Sequence, residues 1–299
     1  MHGNQNAEQV SQELWRELRD EAHAMSEHEP FLAQVLDQIL FAATSLPEAL
    51  ARRLASVLAG TEVGKQACRA LLLEGAESVS VAAALDLIAI RQRDPACRTH
   101  LHAFLNYRAF HAVQLHRVAH GFWSSGRHEL AAWLSNRVSV SLGPDIHPAA
   151  SIGMGVMLDH GSGIVIGETA VVENDVTIMQ NVTLGGTGKE LGDRHPKIRQ
   201  GVFIGAGATI IGNIEVGAFS KIGAGSVVLK DVPPRCTVAG VPAGIVRVHP
   251  ENEYGDDTIG LVPDVLPETS PVADVGYQPF YLGSFSDIAS AAFLARHPK

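Results

Sequence analysis

Residues 146–228 read IHPAASIGMGVMLDHGSGIVIGETAVVENDVTIMQNVTLGGTGKELGDRHPKIRQGVFIGAGATIIGNIEVGAFSKIGAGSVV. Ile146, Ile152, Leu158, Ile164, Val176 and Val182 fall on a six-residue ruler once Ala170 is counted. Ile204, Ile210, Val216, Ile222 and Val228 repeat the interval. A helix of about 3.6 residues per turn does not give a period of six. Short strands that each bury one aliphatic side chain and then turn a corner do, and glycine follows the aliphatic position at Gly153, Gly205, Gly217 and Gly223. Three steps make a coil of 18 residues, so the stretch predicts a triangular prism of about four coils. The interior holds only stacked aliphatics, which sends any ligand to an outer face or to the gap between neighbouring prisms.

The ruler breaks once in this reading, between Val182 and Ile204. The excess is an excursion of about 16 residues, GGTGKELGDRHPKIRQ, glycine-rich and charged, thrown out of a rigid scaffold where function concentrates. Upstream, residues 8 to about 140 read as helices, since Val10, Leu14 and Leu18, then Phe31, Val35 and Ile39, recur at helical spacing. Breaks fall at Pro30, Ser45 to Pro47, Gly60 to Thr61 and Asp94 to Pro95, with Ser, Thr and Asp placed to cap. The stretch AESVSVAAALDLIAIRQRD is apolar on most faces, which predicts cover from other helices or another subunit. His111, His116 and His120 lie among Phe110, Leu115, Val118 and Trp123 and read as packed or surface histidines rather than a metal set. An Arg127 to Val140 helix then enters the repeat through Gly143 and Pro144.

The chain of 299 residues, 46% hydrophobic and 18% charged, supports a globular core and about two domains. A formal charge of -9 without a long basic run disfavours nucleic acid. Cys68, Cys97 and Cys236 are scattered, so no disulfide framework or thiolate zinc site is predicted, and a reducing cytoplasm fits. The N-terminus lacks a signal peptide, and no segment reaches the roughly 20 apolar residues of a membrane span. The expected fold class is α+β, with a helical oligomerisation domain at 1–143, a β-helix at 144–248 and a mobile tail at 249–299 in which only SDIASAAFLAR hints at a helix.

The blocks DIHPAASIGMGV, MLDHGSGIVIGETAVVENDV, QNVTLGGTGK, GDRHPKIRQGVFIGAGA and VVLKDVPP with VAGVPA resemble the bacterial serine O-acetyltransferases, a group of hexapeptide-repeat acyltransferases. RQRDPA extends the resemblance weakly into the helical half. The resemblance implies a left-handed winding, although parallel crossovers in general are right-handed. It implies acetyl transfer from acetyl-CoA to the hydroxyl of L-serine in a ternary complex, the first committed step of cysteine biosynthesis, with no metal. His160 would be the general base, since an unassisted hydroxyl is a poor nucleophile at neutral pH, and Asp145 would fix its tautomer. In a regular coil Asp145 and His160 stand three residues off stacking, so an irregular first coil is required. Asp159 and His160, as neighbours, share a pocket only at a corner.

The same resemblance gives Arg194 the serine carboxylate, Asp94 and Asp159 the ammonium, and His195 the hydroxyl or a second acid–base role. Glu168 is a further candidate partner behind these. Acetyl-CoA would lie on small residues that admit close backbone approach, Ala206 and Ala224 one coil apart, with the Gly186 N–H as oxyanion donor and Lys221 at a phosphate. L-Cysteine would act as feedback inhibitor, and trimers would pair into a homohexamer with sites between prisms. The family ends in a tail whose final isoleucine enters cysteine synthase; here EYGDDTI ends at Ile259 but the sequence runs on to Lys299, so that partnership is in question. Other readings are O-acetylation of homoserine or a sugar, a zinc carbonic anhydrase using His147, His160 and His195, and a non-catalytic scaffold. The Asp and Arg beside those histidines disfavour zinc, and the charged loop has no purpose in a scaffold.

Overall fold

The computed structural model describes residues 2–58, 64–189 and 191–250. Residues 251–299, with EYGDDTI and SDIASAAFLAR, lie outside them, as do Gly60 and Thr61. Among the described residues seven α-helices come first: α1 (His2–His28), α2 (Pro30–Leu36), α3 (Leu46–Val57), α4 (Lys65–Arg93), α5 (His100–Asn106), α6 (Arg108–Ser124) and α7 (His128–Leu142), with a π-helical turn at Asp37–Phe41 after α2. Ser45 caps α3 by accepting from the Glu48 N–H, while Glu48 reaches back to the Thr44 N–H at 2.9 Å, a reciprocal cap that satisfies donors the helix start leaves free. Thr99 caps α5 through the His102 N–H.

The apolar circumference of α4 is covered by α1, α3, α5, α6 and the first coil of the prism. Cover from other helices, one of the two alternatives the sequence offers, is thus met inside one chain. Helix α6 has two loyalties. Phe110, Leu115, Val118 and Phe122 join the helical core, while Ala109 and Val113 plug the near end of the prism core beside Ile146 and Leu158.

The prism follows in coils of three strands: β1 (Asp145–Ile146), β2 (Ser151–Ile152) and β3 (Met157–Leu158); β4 (Val165–Ile166), β5 (Val171–Val172) and β6 (Thr177–Ile178); β7 (Thr183–Gly185), β8 (Lys197–Ile198) and β9 (Phe203–Ile204); β10 (Thr209–Ile211), β11 (Glu215–Val216) and β12 (Lys221–Ile222). A fifth coil has β13 (Val227–Val228), a bridge at Val232 and β14 (Cys236–Gly240), and β15 (Ala243–Val248) returns antiparallel to β14. The winding is left-handed. The first face stacks β1-β4-β7-β10-β13, the second β2-β5-β8-β11, the third β3-β6-β9-β12-β14.

The register corrects the ruler in two places. Ile146 pairs with Ile166, Ile152 with Val172 and Leu158 with Ile178, so the first coil holds two residues more than the ruler allows. The inward ladder therefore runs through Ile166, Val172, Ile178 and Leu184. Ile164, Ala170, Val176 and Val182 are buried too, at the corner preceding each strand, because every step buries a second residue two places before the first. The extra pair of residues lies in the corner 159–163, where His160, Gly161 and Gly163 have φ of 57°, 81° and 66°. The second correction concerns the excursion. Val172 pairs with Ile198 and Leu184 with Ile210, so only eight residues exceed a regular coil. Lys197–Ile198 belongs to the second face, with Ile198 wholly buried.

His111, His116 and His120 turn their rings to three separate carbonyls, of Phe104 at 2.8 Å, Ala150 at 3.1 Å and Pro148 at 2.8 Å, and do not share a centre. Burial pushes His111 down to about 4 and His116 to about 3. Both are neutral in the folded chain and bind protons once unfolded. Stability is therefore full above pH 6.5 and falls as the pH drops below that value toward 4, by about 1 kcal/mol per pH unit for each histidine. Urea unfolding midpoints measured from pH 7 to 5 should decline accordingly, and His116→Gln should flatten the slope; an unchanged slope would contradict this account.

Candidate active site

Two edges of the prism carry the candidate residues. At the edge between the third and first faces, the corner after β3 presents Asp159 and His160. The ring of His160 is exposed, and its Nε2 lies 3.5 Å from Asp159 Oδ2. The left-handed φ of His160 turns the two neighbouring side chains to one side, which a regular strand would not do. The helical half delivers Asp94 to this place. Asp94 ends α4, directly after Arg93, whose guanidinium donates to the Gly155 carbonyl at 2.9 Å and pairs with Asp175 at 3.4 Å. Asp94 Oδ1 accepts the Ala96 N–H at 2.8 Å and Oδ2 accepts the Tyr107 hydroxyl at 2.5 Å. Burial pushes the Asp159 carboxyl up; the neighbouring His160 opposes that shift and the Asp94 charge adds to it. The Tyr107 phenol is also driven up, by burial and then by its bond to Asp94.

Asp145 opens β1 on the first face, exposed and in register with Val165. Among the described residues it forms no ion pair with His160, and the carboxylate beside that ring is Asp159. The two-residue lengthening of the first coil stacks Asp145 on Val165, so His160 stands five residues before the stacked position rather than the three of a regular coil.

The edge between the first and second faces carries His147, Glu168, Arg194 and His195. Arg194 pairs with Glu168 at 2.5 Å, which holds the Glu168 carboxyl below its usual range. The His195 ring lies over Gly167, where a Cβ would come within 2.0 Å of it; only glycine fits beneath. Thr169 Oγ1 accepts the N–H groups of Arg194 at 3.0 Å and His195 at 3.1 Å, and meets His195 Nδ1 at 2.9 Å. Burial and then the Arg194 charge lower His195, and burial lowers His147, so both imidazoles stay neutral at pH 7. The loop is fastened further along by Lys197 to Asp193 at 2.5 Å. Gly186 sits under Arg194, whose Cγ would lie 3.2 Å from an added Cβ. His160 thus stands on a different edge from His147 and His195 within the chain.

Above His160 on its own edge, Ala206 and Ala224 occupy successive corners. The Gly225 N–H bonds the Ala206 carbonyl at 2.8 Å, and an added Cβ at Gly205 would come 2.7 Å from the Ala224 N. The corners stack tightly and present a flat track of small residues. Lys221 lies beside it in β12, in register with Phe203.

Residues 14–115 match the family described as "Serine acetyltransferase, N-terminal", and residues 195–230 match "Bacterial transferase hexapeptide (six repeats)". The serine acetyltransferase of Salmonella typhimurium is 52% identical over 263 residues, covering 81% of this chain and 96% of its own length. The chain belongs to the serine acetyltransferase family. A solved serine acetyltransferase in complex with cysteine is 46% identical, with a TM-score of 0.79, over 82% of this chain and 96% of that one. The serine acetyltransferase of Brucella abortus in complex with coenzyme A is 47% identical, with a TM-score of 0.77, over 79% and 96%.

Within this serine acetyltransferase family member, sequence reasoning passed over Tyr107, Arg108 and Thr169. None lies on the six-residue ruler or a helical stripe. The one available signal was local: Tyr and Arg stand at the start of α6, where shorter capping residues are preferred.

Proposed function

We propose that this protein transfers the acetyl group of acetyl-CoA to the hydroxyl of L-serine, giving O-acetylserine and CoA, as the entry to cysteine biosynthesis. The observation that carries the reading is the His160 corner: an exposed imidazole held in a left-handed turn, 3.5 Å from the half-buried Asp159, with Asp94 brought alongside from α4. His160 takes the serine hydroxyl proton as the oxygen attacks the thioester carbonyl, and the proton passes on to the leaving thiolate of CoA. Asp145 is assigned to fix the ring tautomer, and Asp94 and Asp159 to take the serine ammonium. Arg194, aimed by Glu168, takes the carboxylate, and His195, neutral and held by Thr169, contacts the hydroxyl. The pantetheine arm is assigned to the Ala206 and Ala224 track, the oxyanion to the Gly186 N–H and a phosphate to Lys221.

One chain puts these groups on two edges, so a complete site calls for the His160 edge of one prism to face the Arg194 edge of another. That arrangement supports a trimer, and the family resemblance extends it to a homohexamer with L-cysteine as an inhibitor competing at the serine groups. The helical half, 1–143, then serves assembly and supplies Asp94, the prism, 144–248, carries the transfer, and 249–299 forms the tail. No described helix is long and apolar enough to cross a membrane, and the three cysteines are free and buried, which supports a reducing cytoplasmic setting.

Thiol release from acetyl-CoA, measured with L-serine, homoserine and a galactoside, tests the reading. Serine should give release at least about tenfold faster than the others, since only a site with both a cation and anions rewards a zwitterion. Faster turnover of the galactoside would overturn the substrate assignment.

A further inference from the structure

We propose that Tyr107 and Arg108 are positioning residues of the acetyl-transfer site, Tyr107 acting through Asp94 and Arg108 through His160; the assignment rests on the reading above. Tyr107 ends α5 and caps the start of α6 at once, and its side chain makes no cap bond, although that position favours a short side chain that bonds the helix N–H groups. Arg108 follows as the first residue of α6, a cation at the positive end of a helix. Two consecutive choices thus run against local preference, as happens where a residue answers to a site rather than to its own element.

Both side chains leave the helix for the site. The Tyr107 hydroxyl donates to Asp94 Oδ2 at 2.5 Å, and with the Ala96 N–H on Oδ1 it fixes the carboxylate at both oxygens. Arg108 Nε donates to the His160 carbonyl at 2.8 Å, and its terminal nitrogen bonds Ser162 Oγ. That carbonyl belongs to the left-handed corner, whose next residue, Gly161, also has positive φ and rests against Ala109, where an added Cβ would meet the Ala109 Cβ at 3.0 Å. The start of α6 therefore grips the carboxylate meant for the ammonium with one residue and the turn bearing the base with the next. Asp94 comes from the helical half and His160 from the prism, and α6 contributes to both cores, so this dipeptide sets the distance between them.

A purely structural clasp would change melting temperature alone, whereas positioning splits the kinetic constants. Steady-state kinetics of the full chain should show that Tyr107→Phe raises KM for L-serine about tenfold with kcat within about twofold. Arg108→Gln should lower kcat about tenfold while KM for L-serine stays within about threefold, and Arg108→Lys should recover part of that loss. Ser162→Ala, which removes the contact from the other side, should lower kcat about threefold. Variants that melt lower but keep wild-type kcat and KM would overturn the assignment and leave the activity standing. A wild type without serine-dependent thiol release would overturn the activity and this assignment with it.

Discussion

His160→Asn should lower kcat on L-serine by about three orders of magnitude, within the range that general bases contribute, which corresponds to about 4 kcal/mol of lost transition-state stabilisation. KM for acetyl-CoA should stay near the wild-type value, since the track at Ala206 and Ala224 lies on later corners of the same edge. Asparagine is the instructive replacement. His160 has φ of 57°, a region that asparagine tolerates and alanine resists, so the corner survives and the loss is chemical. The ring is exposed and the charged group beside it is Asp159, so the melting temperature should move little. Turnover above about a tenth of wild type would remove His160 from the mechanism. The companion variants divide the carboxylates: Asp145→Asn should act on kcat if it orients the ring, and Asp159→Asn on KM for serine if it binds the ammonium.

Asp86→Ala should cost about 3 to 5 kcal/mol of stability, the penalty of stranding one partner of a buried ion pair. Asp86 lies in α4 and is almost wholly buried. It accepts from Arg117 at 2.5 and 3.1 Å, from Gln114 at 2.8 Å and from the Val156 N–H at 2.9 Å. Arg117, from α6, also donates to the Gly153 carbonyl in the first coil. Donors from a neighbouring helix and from the prism therefore converge on one carboxylate. Removing it leaves a guanidinium, the Gln114 side-chain amide and the Val156 N–H short of partners in a dry place, whereas Asp86→Leu with Arg117→Met removes both charges and should cost less than the single change. Chemical unfolding checks both; a loss under about 1 kcal/mol for Asp86→Ala would mean the pair is solvated after all.

How much of this was legible beforehand differs by residue. The prism was readable because burying an aliphatic at fixed intervals leaves an arithmetic trace. Its phase was not, since each step buries two residues: after the first coil Ile164 and Ile166 are both apolar, and a ruler laid on the wrong one still finds Ala170, Val176 and Val182 in line. The excursion looked longer than it is because the second run was begun at Ile204, although Ile198, six residues earlier, already lies on it. Asp159, His160, Arg194 and His195 were found through resemblance, and the structure supplies what sequence could not, their division between two edges. The roles of Tyr107 and Arg108 left no periodic trace, because their partners are 13 and 52 residues away in the chain.

The first coil's two surplus residues and the third coil's eight behave as dislocations in a one-dimensional crystal. In the regular layers the strand amides are already bonded to the layer above or below and corner amides to their own turn, and the side chains pointing in stack on one another. Such a lattice is chemically inert. Where the stacking faults there is room for an odd side chain, and both faults hold candidate reacting groups, His160 at one and Arg194 with His195 at the other. A repeat protein of this kind acquires chemistry by breaking its own symmetry, and the remaining perfect layers keep each break from spreading.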